Sequence, residues 1–307
     1  MAFNWELGEG VSADRLDRMR LHKRKPLKPM GEAWFMGKER RVFTELENNI
    51  SDLPVNLLHQ ILNEIGAGVA SFGLRDEWGE WFDYLLPEII LRGHERHVFW
   101  LHEDICSAFL QIDLDAEGLH ATEQHRDDVL HTLGKSIMQS ERWLDGTIVL
   151  GKVLHPTNNY PSRKWGWASV SGDLAASMFL CLRLIKTEDV EGWVQSIFAI
   201  GCPYWRAQIL TWYIGAKPLL EGKVLFPSQF DRWTPQIDWS GSHYVNGEHG
   251  QVRVAHNAIS DANMAKFKAA SEAAFATPDL DIWIEEILSI DALRSEVGSI
   301  IGRARFL

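Results

Sequence analysis

Cysteine is scarce in this chain. Only three are present, Cys106, Cys181 and Cys202, at wide spacing and without a CxxC pair. Such a set forms neither a disulfide framework nor a zinc finger, and it suits a reducing compartment. We therefore expect a cytoplasmic protein that is stabilised by its core rather than by cross-links.

Long hydrophobic runs are also missing. The most apolar stretch, residues 174–185, contains Arg183 and is shorter than the roughly 20 apolar residues that cross a bilayer. The chain begins with early acidic residues and without a long apolar segment, unlike a signal peptide. We expect no membrane contact.

The short motifs of nucleotide binding and common catalysis are absent. The sequence contains no phosphate-binding loop, GxGxxG, GxSxG, kinase signature or HExxH. We interpret the glycines of residues 66–68 as the end of a helix rather than as a phosphate cradle. We expect no cofactor. The missing motifs disfavour an enzymatic function but do not exclude it.

Basic residues are nearly absent from one long segment. Between Glu45 and Gly134 only four arginines accompany 18 Asp and Glu, a net charge of −14, whereas residues 14–41 carry a net charge of +6. A surface of one sign attracts oppositely charged molecules and repels like ones. The pattern favours a basic protein partner. The total charge of −11 disfavours nucleic acid, because its binding depends on Lys and Arg.

Most of the chain follows a helical period. Apolar residues recur at intervals of three and four, most clearly after Asp76, where Asp76, Glu80 and Asp83 fall opposite two tryptophans. Residues 147–154 are compatible with either a short strand or a helix end. The predicted helices span approximately 38–50, 52–65 (capped near Asp52 or Leu53, with Pro54 in the first turn, and ended by Gly66), 76–89, 94–112, 122–144, 173–186, 188–200, 203–220, 259–276, 279–288 and 291–303.

These elements predict a mostly all-α fold, either an irregular helical bundle or HEAT-like stacked helix pairs. Helix pairs before residue 221 recur at about 35–45 residues, a rhythm similar to that of HEAT-type repeats, without a repeat consensus in the residues. The predicted organisation is an irregular basic N-terminal arm (1–37), a helical body (38–221), a long connection (222–258) and C-terminal helices packing on the body (259–307).

The long connection contains a hairpin signal. An Asn-Gly pair at residues 246–247 predicts a small β-hairpin over 242–255 with these two residues in its turn. Side chains alternate along a strand, so this pairing places His243 and Glu248 on one face. They form a candidate acid–base pair; the alternative is a polar surface hairpin.

Other residues are candidates for chemistry. Cys202 precedes Pro203 at a predicted helix start, where the helix N-terminus favours a thiolate nucleophile; the alternative is a buried small hydrophobe. His94 and His97 share a predicted helix face. A metal site needs three or four converging ligands, so we predict no metal site there.

Tryptophan is abundant, with 14 residues. Trp233 and Trp239 lie in the long connection, where aromatic side chains bind a ligand or a partner, or merely cover helix ends. Six others lie in helical stretches and are expected in the core: Trp78, Trp81, Trp100, Trp193, Trp212 and Trp283.

The leading hypothesis is a non-enzymatic interaction module, such as a bacterial immunity or antitoxin-type protein or an adaptor. Its acidic helical surface is presented to a basic protein partner. The alternative is a hydrolase-like enzyme near the 222–258 loop using His243, Glu248 or Cys202, which admits a small-molecule ligand. A helical-repeat DNA-binding protein ranks third. The predicted acidic surface comprises Asp76, Glu80, Asp83, Glu103, Asp104, Asp127 and Asp128.

Overall fold

The structure is a computed structural model. It describes residues 2–31, 43–72, 75–97, 100–114, 122–148, 172–229, 237–246, 248–249, 252–253, 257–277 and 279–301. Within these ranges it contains α1 (Ala13–His22), α2 (Val55–Phe72), α3 (Arg75–Ile89), α4 (Leu101–Asp113), α5 (Glu123–Thr132), α6 (Asp173–Leu184), α7 (Val190–Ala199), α8 (Pro203–Leu220), α9 (Asp261–Phe275), α10 (Asp279–Ser289) and α11 (Asp291–Ile301). The predicted mostly α-helical bundle is confirmed.

Several helices begin at residues that the sequence marks as caps. Thr122 accepts a hydrogen bond from the His125 N–H (3.2 Å) at the start of α5. Ser260 does the same for Asn263 (3.2 Å) at the start of α9. Pro203 occupies the first turn of α8, where its missing N–H is not needed. These local signals explain why the predicted starts of these helices are close to the observed ones.

Three predicted helices are wrong in the described residues. The helix predicted over 122–144 ends at Thr132, and 3-10 turns over 133–138 and 140–142 and a strand from Trp143 follow it. Residues 44–47 and 50–52 form separate 3-10 turns instead of a helix over 38–50, because the Asn49 side chain accepts from the Ser51 N–H and restarts the chain. The predicted helix from residue 94 begins at Leu101, since residues 93–94 form a turn. His94 and His97 therefore share no helix face.

Helix α2 does not end at Gly66 but continues to Phe72. The glycines permit close packing rather than termination. A Cβ on Gly68 would overlap the indole of Trp78, which lies directly against this position. The tertiary contact with α3, rather than the local tendency of glycine to end helices, decides this boundary.

Two small antiparallel hairpins accompany the helices. Strands β1 (Trp143–Leu144) and β2 (Thr147–Ile148) are joined by Asp145 and Gly146, both at positive φ (49° and 74°). This is the backbone of a type I′ turn, which Asp-Gly favours. The sequence reasoning overlooked this signal.

The second hairpin confirms the predicted element but not its turn. Strand β3 (Glu248–His249) pairs with β4 (Val252–Arg253), with Glu248 opposite Arg253. Residues 242–244 form a 3-10 turn, and the Val245 carbonyl accepts from the Ser228 N–H (3.2 Å). These bonds hold the chain away from a strand. The predicted pairing of residues 243–245 with 248–250 is therefore wrong.

Helix α4 lies at the centre of the molecule. All of its 13 residues are buried, and it packs against α2, α3 and α6. Helices α7 to α11 form the remaining layer, with α7 on α9 and α11 on α8. The six tryptophans predicted in the core are buried, as expected. Among the described residues, no helix has the length and apolar character that a membrane span requires.

The N-terminal residues pack onto the helical body. Phe3 and Trp5 are buried, and the Trp5 indole N–H donates to the carbonyl of Gly134 (2.8 Å). Helix α1 lies against α5 and α3. The predicted basic segment thus contributes core residues, while the domain boundary near residue 37 stays a prediction.

Candidate functional site

The acidic segment is largely neutralised within the chain. Helix α1 brings Arg15 to Asp127 and Arg18 to Asp128 (2.5 Å). Asp128 is only 4% exposed. Both carboxylates were predicted to lie on an open acidic surface, which is wrong for Asp128 because the basic N-terminal segment covers it, whereas Asp127 keeps 30% of its side chain exposed beside Arg15.

The same pairing extends to α3. Lys23 contacts Glu88 (2.6 Å) and Lys28 contacts Glu77 (2.9 Å). On the outer side of this helix Asp76 and Glu80 are exposed, while Asp83 is half-buried. Their role in binding a partner stays a prediction.

Glu103 and Asp104 were also expected at the surface, and that expectation is wrong. They are 2% and 3% exposed. Both lie in the first turn of α4, whose whole circumference is covered by other elements. Carboxylates are seldom buried unless they are paired or hydrogen-bonded, so the partners of Glu103 and Asp104 define a candidate site.

Glu103 joins two distant segments to α4. Its carboxylate accepts the N–H of Gly172 (2.7 Å), at the start of α6, and the N–H of Ser240 (2.6 Å). Burial and the nearby charge of Asp173 raise the pKa of Glu103 well above its usual value. Glu103 therefore lies closer to protonation at neutral pH than an ordinary glutamate.

Asp104 holds a histidine at the mouth of the site. His59 Nδ1 lies 2.5 Å from one Asp104 oxygen, and the hydroxyl of Ser240 donates to the other (3.0 Å). His59 keeps 19% of its side-chain surface exposed, whereas Asp104 is inside. The hydrogen bond with Asp104 raises the pKa of His59. Burial raises the pKa of Asp104, and the bond from His59 opposes that shift.

The hydrogen bonds fix the tautomer of His59. The Asn63 amide nitrogen lies 3.0 Å from His59 Nε2. An amide N–H₂ donates, so we assign Nε2 as the acceptor and Nδ1–H as the donor to Asp104. An Nε2 lone pair at a partly exposed edge is the arrangement that a general base requires.

Other polar groups lie near His59 and Asp104. The ring of His97 lies 6.0 Å from that of His59. Burial raises the pKa of Tyr244, and the negative charges of Glu64 and Asp104 add to the shift. The surroundings of His59 thus combine imidazole, phenol and carboxyl groups, including groups from α2, α4 and the 237–246 segment.

A second histidine lies behind the first, wholly inside the protein. His102 Nε2 is 2.8 Å from the Ser177 hydroxyl, and Nδ1 is 3.1 Å from that of Ser136. Because Ser136 donates to the Leu133 carbonyl (2.8 Å), we assign it as an acceptor from Nδ1–H. Burial lowers the pKa of His102, so this ring is neutral and structural.

The site also depends on a close approach of backbones. A Cβ on Gly172 would overlap Trp239 and lie 2.7 Å from a carboxylate oxygen of Glu103. Trp239 is buried, and its indole N–H donates to the hydroxyl of Ser107 (2.9 Å). It belongs to the roof of the site rather than to an open groove. Trp233 lies outside the described residues.

The structure describes the other predicted catalytic residues only in part, and the acid–base pairing of His243 with Glu248 stays a prediction. His243 is exposed and stacks on Tyr244, with ring centroids 4.0 Å apart. It is not part of a strand, and the side chain of Glu248 lies outside the described part of the chain. Cys202 is buried at the start of α8 and accepts from the Ile148 N–H (3.5 Å), which fits the small-hydrophobe alternative.

Sequence reasoning missed His59, Ser240 and Asp173. One signal was present: His102, Glu103 and Asp104 are consecutive polar residues at the start of an otherwise apolar helix. In the described part of the chain, no three His, Cys, Asp or Glu side chains converge as metal ligands.

Comparison with protein-family models, curated proteins and solved structures finds no match for this chain. Function is therefore inferred from the geometry around His59 and Asp104.

Proposed function

We propose that the protein is a hydrolase-like enzyme in which His59 acts as general base and Asp104 orients it. The hydrogen bond between His59 and Asp104 (2.5 Å), with the imidazole partly exposed and the carboxylate buried, carries the proposal. Displaced proton affinities concentrate at functional sites, because catalysis needs groups that titrate near the working pH.

The supporting structure resembles that of a preorganised site. Ser240 is bonded through its N–H to Glu103, through its hydroxyl to Asp104 and through its carbonyl to the hydroxyl of Ser107 (2.7 Å). Three bonds from one residue hold the 237–246 segment over α4. Rigid support of this kind keeps a base within reach of its substrate at small entropic cost.

In the proposed reaction a substrate or water replaces the Asn63 amide at His59 Nε2. His59 removes the proton from water as the hydroxide attacks an ester or amide carbonyl, and it returns the proton to the leaving group. Asp104 stabilises the imidazolium that forms between these steps. Because the surrounding groups are acidic, neutral or cationic substrates are favoured over anionic ones.

Hydrolysis of neutral p-nitrophenyl esters and peptide p-nitroanilides tests this proposal. We expect His59→Gln and Asp104→Asn to lower the wild-type rate by about 100-fold or more, the usual contribution of a positioned base. His243→Gln is the matched control, because His243 is an exposed histidine of the 237–246 segment whose ring lies against Tyr244. Wild-type inactivity on the whole panel, or equal rates in all variants, contradicts the proposal.

A second readout does not depend on the substrate. The pKa of His59, followed by NMR of its ring protons, should lie above the ordinary value in the wild type. It should fall in Asp104→Asn, because the carboxylate is the main cause of the shift. The acid limb of the rate profile should move to lower pH with it. An unshifted histidine in the wild type refutes the dyad.

The exposure of Asp76 and Glu80, one turn apart on α3, favours a second candidate. In this proposal an acidic helix face binds a basic protein, as an immunity protein or adaptor does. Affinity capture from cells along a salt gradient should release a stoichiometric basic protein, since screening weakens such contacts. Retention of that partner by the Asp76→Lys, Glu80→Lys double variant contradicts the proposal.

A further inference from the structure

A cavity opens between α7, α9 and α10, distant in sequence from the proposed catalytic pair. Its volume is about 530 Å³. Phe198, Phe275 and Trp283 form its aromatic wall, with Phe198 stacked on Trp283 (5.2 Å) and in edge contact with Phe275 (5.0 Å). Cavities of this size and character take an aromatic ring or a large apolar side chain.

Arg206 crosses this wall and retains hydrogen-bonding capacity. Its guanidinium lies 4.7 Å above the Trp283 ring, and one terminal nitrogen is paired with Glu286. Arg206 Nε is buried and has no hydrogen-bond partner among the described residues. A buried donor of this kind calls for an acceptor, and a neutral carbonyl oxygen suits it better than an anion beside Glu286.

The rim of the cavity contains both acidic and apolar side chains. Asp279 and Glu286 line it, and helix α10 carries no Lys or Arg. Ile282, also on the rim, is 52% exposed and offers an apolar contact beside the acidic groups. This combination is complementary to a ligand with an apolar anchor and adjacent positive charge.

We propose that the α10 cavity binds a basic peptide segment that carries a large aromatic anchor. The anchor enters between Phe198 and Ile282, a peptide carbonyl accepts from Arg206 Nε, and a neighbouring Lys or Arg side chain faces Asp279, since Glu286 is already paired with Arg206. This site is separate from the catalytic proposal and from the acidic face of α3, and it stands or falls independently of both.

Three synthetic peptides test the two parts of this recognition: acetyl-Phe-Lys-Lys-amide, acetyl-Ala-Lys-Lys-amide and acetyl-Phe-Glu-Glu-amide. Affinities are measured on the full chain by NMR titration. The first peptide should bind about tenfold more tightly than the second, which lacks the buried ring. It should bind roughly fivefold or more tightly than the third, which places like charges against the rim.

Two matched pairs of variants locate the site. Ile282→Ser should weaken binding of the first peptide several-fold. Leu144 is also an exposed apolar residue (66%), on the β1–β2 hairpin, and Leu144→Ser should leave binding unchanged. Asp279→Asn should weaken it by about fivefold, the value of one favourable charge pair. Glu285→Gln removes the same charge from α10 outside the cavity and should change affinity by less than about twofold.

All four positions are at the surface, so thermal unfolding should show each variant folded. Equal binding of the Phe and Ala peptides overturns the proposal. Loss of binding in Asp76→Asn rather than in Asp279→Asn overturns it as well, because the peptide then occupies α3. Failure of the first peptide to bind at millimolar concentration has the same consequence.

Discussion

Buried carboxylates are held in two different ways in this molecule. At the rim, between α1 and α5, Asp127 and Asp128 face the guanidinium groups of Arg15 and Arg18. At the centre, Glu103 is held by the backbone N–H groups of Gly172 and Ser240. A guanidinium favours the ionised carboxylate, and backbone N–H groups do so as well, but at Glu103 burial and the nearby charge of Asp173 outweigh the backbone bonds and raise the pKa.

The carboxylates between α1 and α5 have a structural role, whereas those at the centre belong to the candidate site. The rim attaches the N-terminal segment to the body, and its charges neutralise each other. The centre collects groups whose proton affinities are displaced, namely Glu103, Asp104 and His59. Similar residue types in one acidic segment thus do different work, depending on whether arginines pair with them or burial dominates their surroundings.

The largest expected effect comes from disrupting the close contact between Gly172 and Trp239 at the centre. Gly172→Ala should lower the free energy of unfolding by about 3 kcal/mol, because the added methyl overlaps Trp239 and crowds Glu103. Gly192→Ala is the control, since nothing lies within 4 Å of a Cβ there in α7. It should stabilise the protein by about 0.5 kcal/mol. Denaturant unfolding measures both, and equal effects contradict the packing described here.

A smaller effect is expected for the charge of the centre. Because the pKa of Glu103 is raised on folding, its contribution to stability is present below its ordinary pKa of 4.5 and is lost as pH rises through the folded value. Glu103→Gln also loses an acceptor for one backbone N–H, worth about 1–3 kcal/mol. The destabilisation should therefore be greater near about pH 5 than near about pH 8. A destabilisation that is independent of pH, in denaturant titrations of both proteins, means that Glu103 is ionised throughout.

The smallest expected effect concerns a histidine at the rim between α1 and α5, and the pH dependence of its contribution to stability is opposite to that of Glu103. Burial and the charge of Arg15 lower the pKa of His131 to about 4. A lowered histidine pKa contributes stability above its usual value of 6.5, and that contribution is lost as pH falls toward the folded value. After allowance for screening, acidification from about pH 7 to about pH 5 should destabilise wild type by about 1 kcal/mol more than His131→Gln.

His131→Gln also loses the edge contact between Phe3 and the imidazole (5.4 Å), which lowers stability at every pH. Only the difference between the two pH values reports the titration. If acidification weakens both proteins equally, the rim histidine is not held neutral, and the contrast between rim and centre disappears.

Much of the fold follows from local pattern. The apolar period predicts α3 and the helices α6 to α11 with boundaries close to those observed, since Pro203 and Ser260 mark helix starts and apolar faces fill every turn. Predictions from local sequence pattern failed where a long-range contact decided an element boundary or a turn. Gly66 did not end α2, and Asn246 and Gly247 did not form the predicted turn.

The candidate site was much less predictable. His59 and Asp104 are 45 residues apart in sequence, and Ser240 is 136 residues from Asp104. No spacing rule connects positions so far apart. A helix that is buried on every side also hides its polar residues from an argument based on one apolar face, so Glu103 and Asp104 were assigned to the surface.

The sequence by itself determined the helical class, several of the helix starts, and a strong separation of positive and negative charge along the chain. Only the tertiary structure decided where that charge acts. Folding places α1 against the acidic helix α5 and brings a distant loop over α4, so part of the acidic segment is neutralised and part is buried. The physical reason is that periodicity reports the faces of each helix, whereas burial and proton affinity depend on which other elements cover those faces.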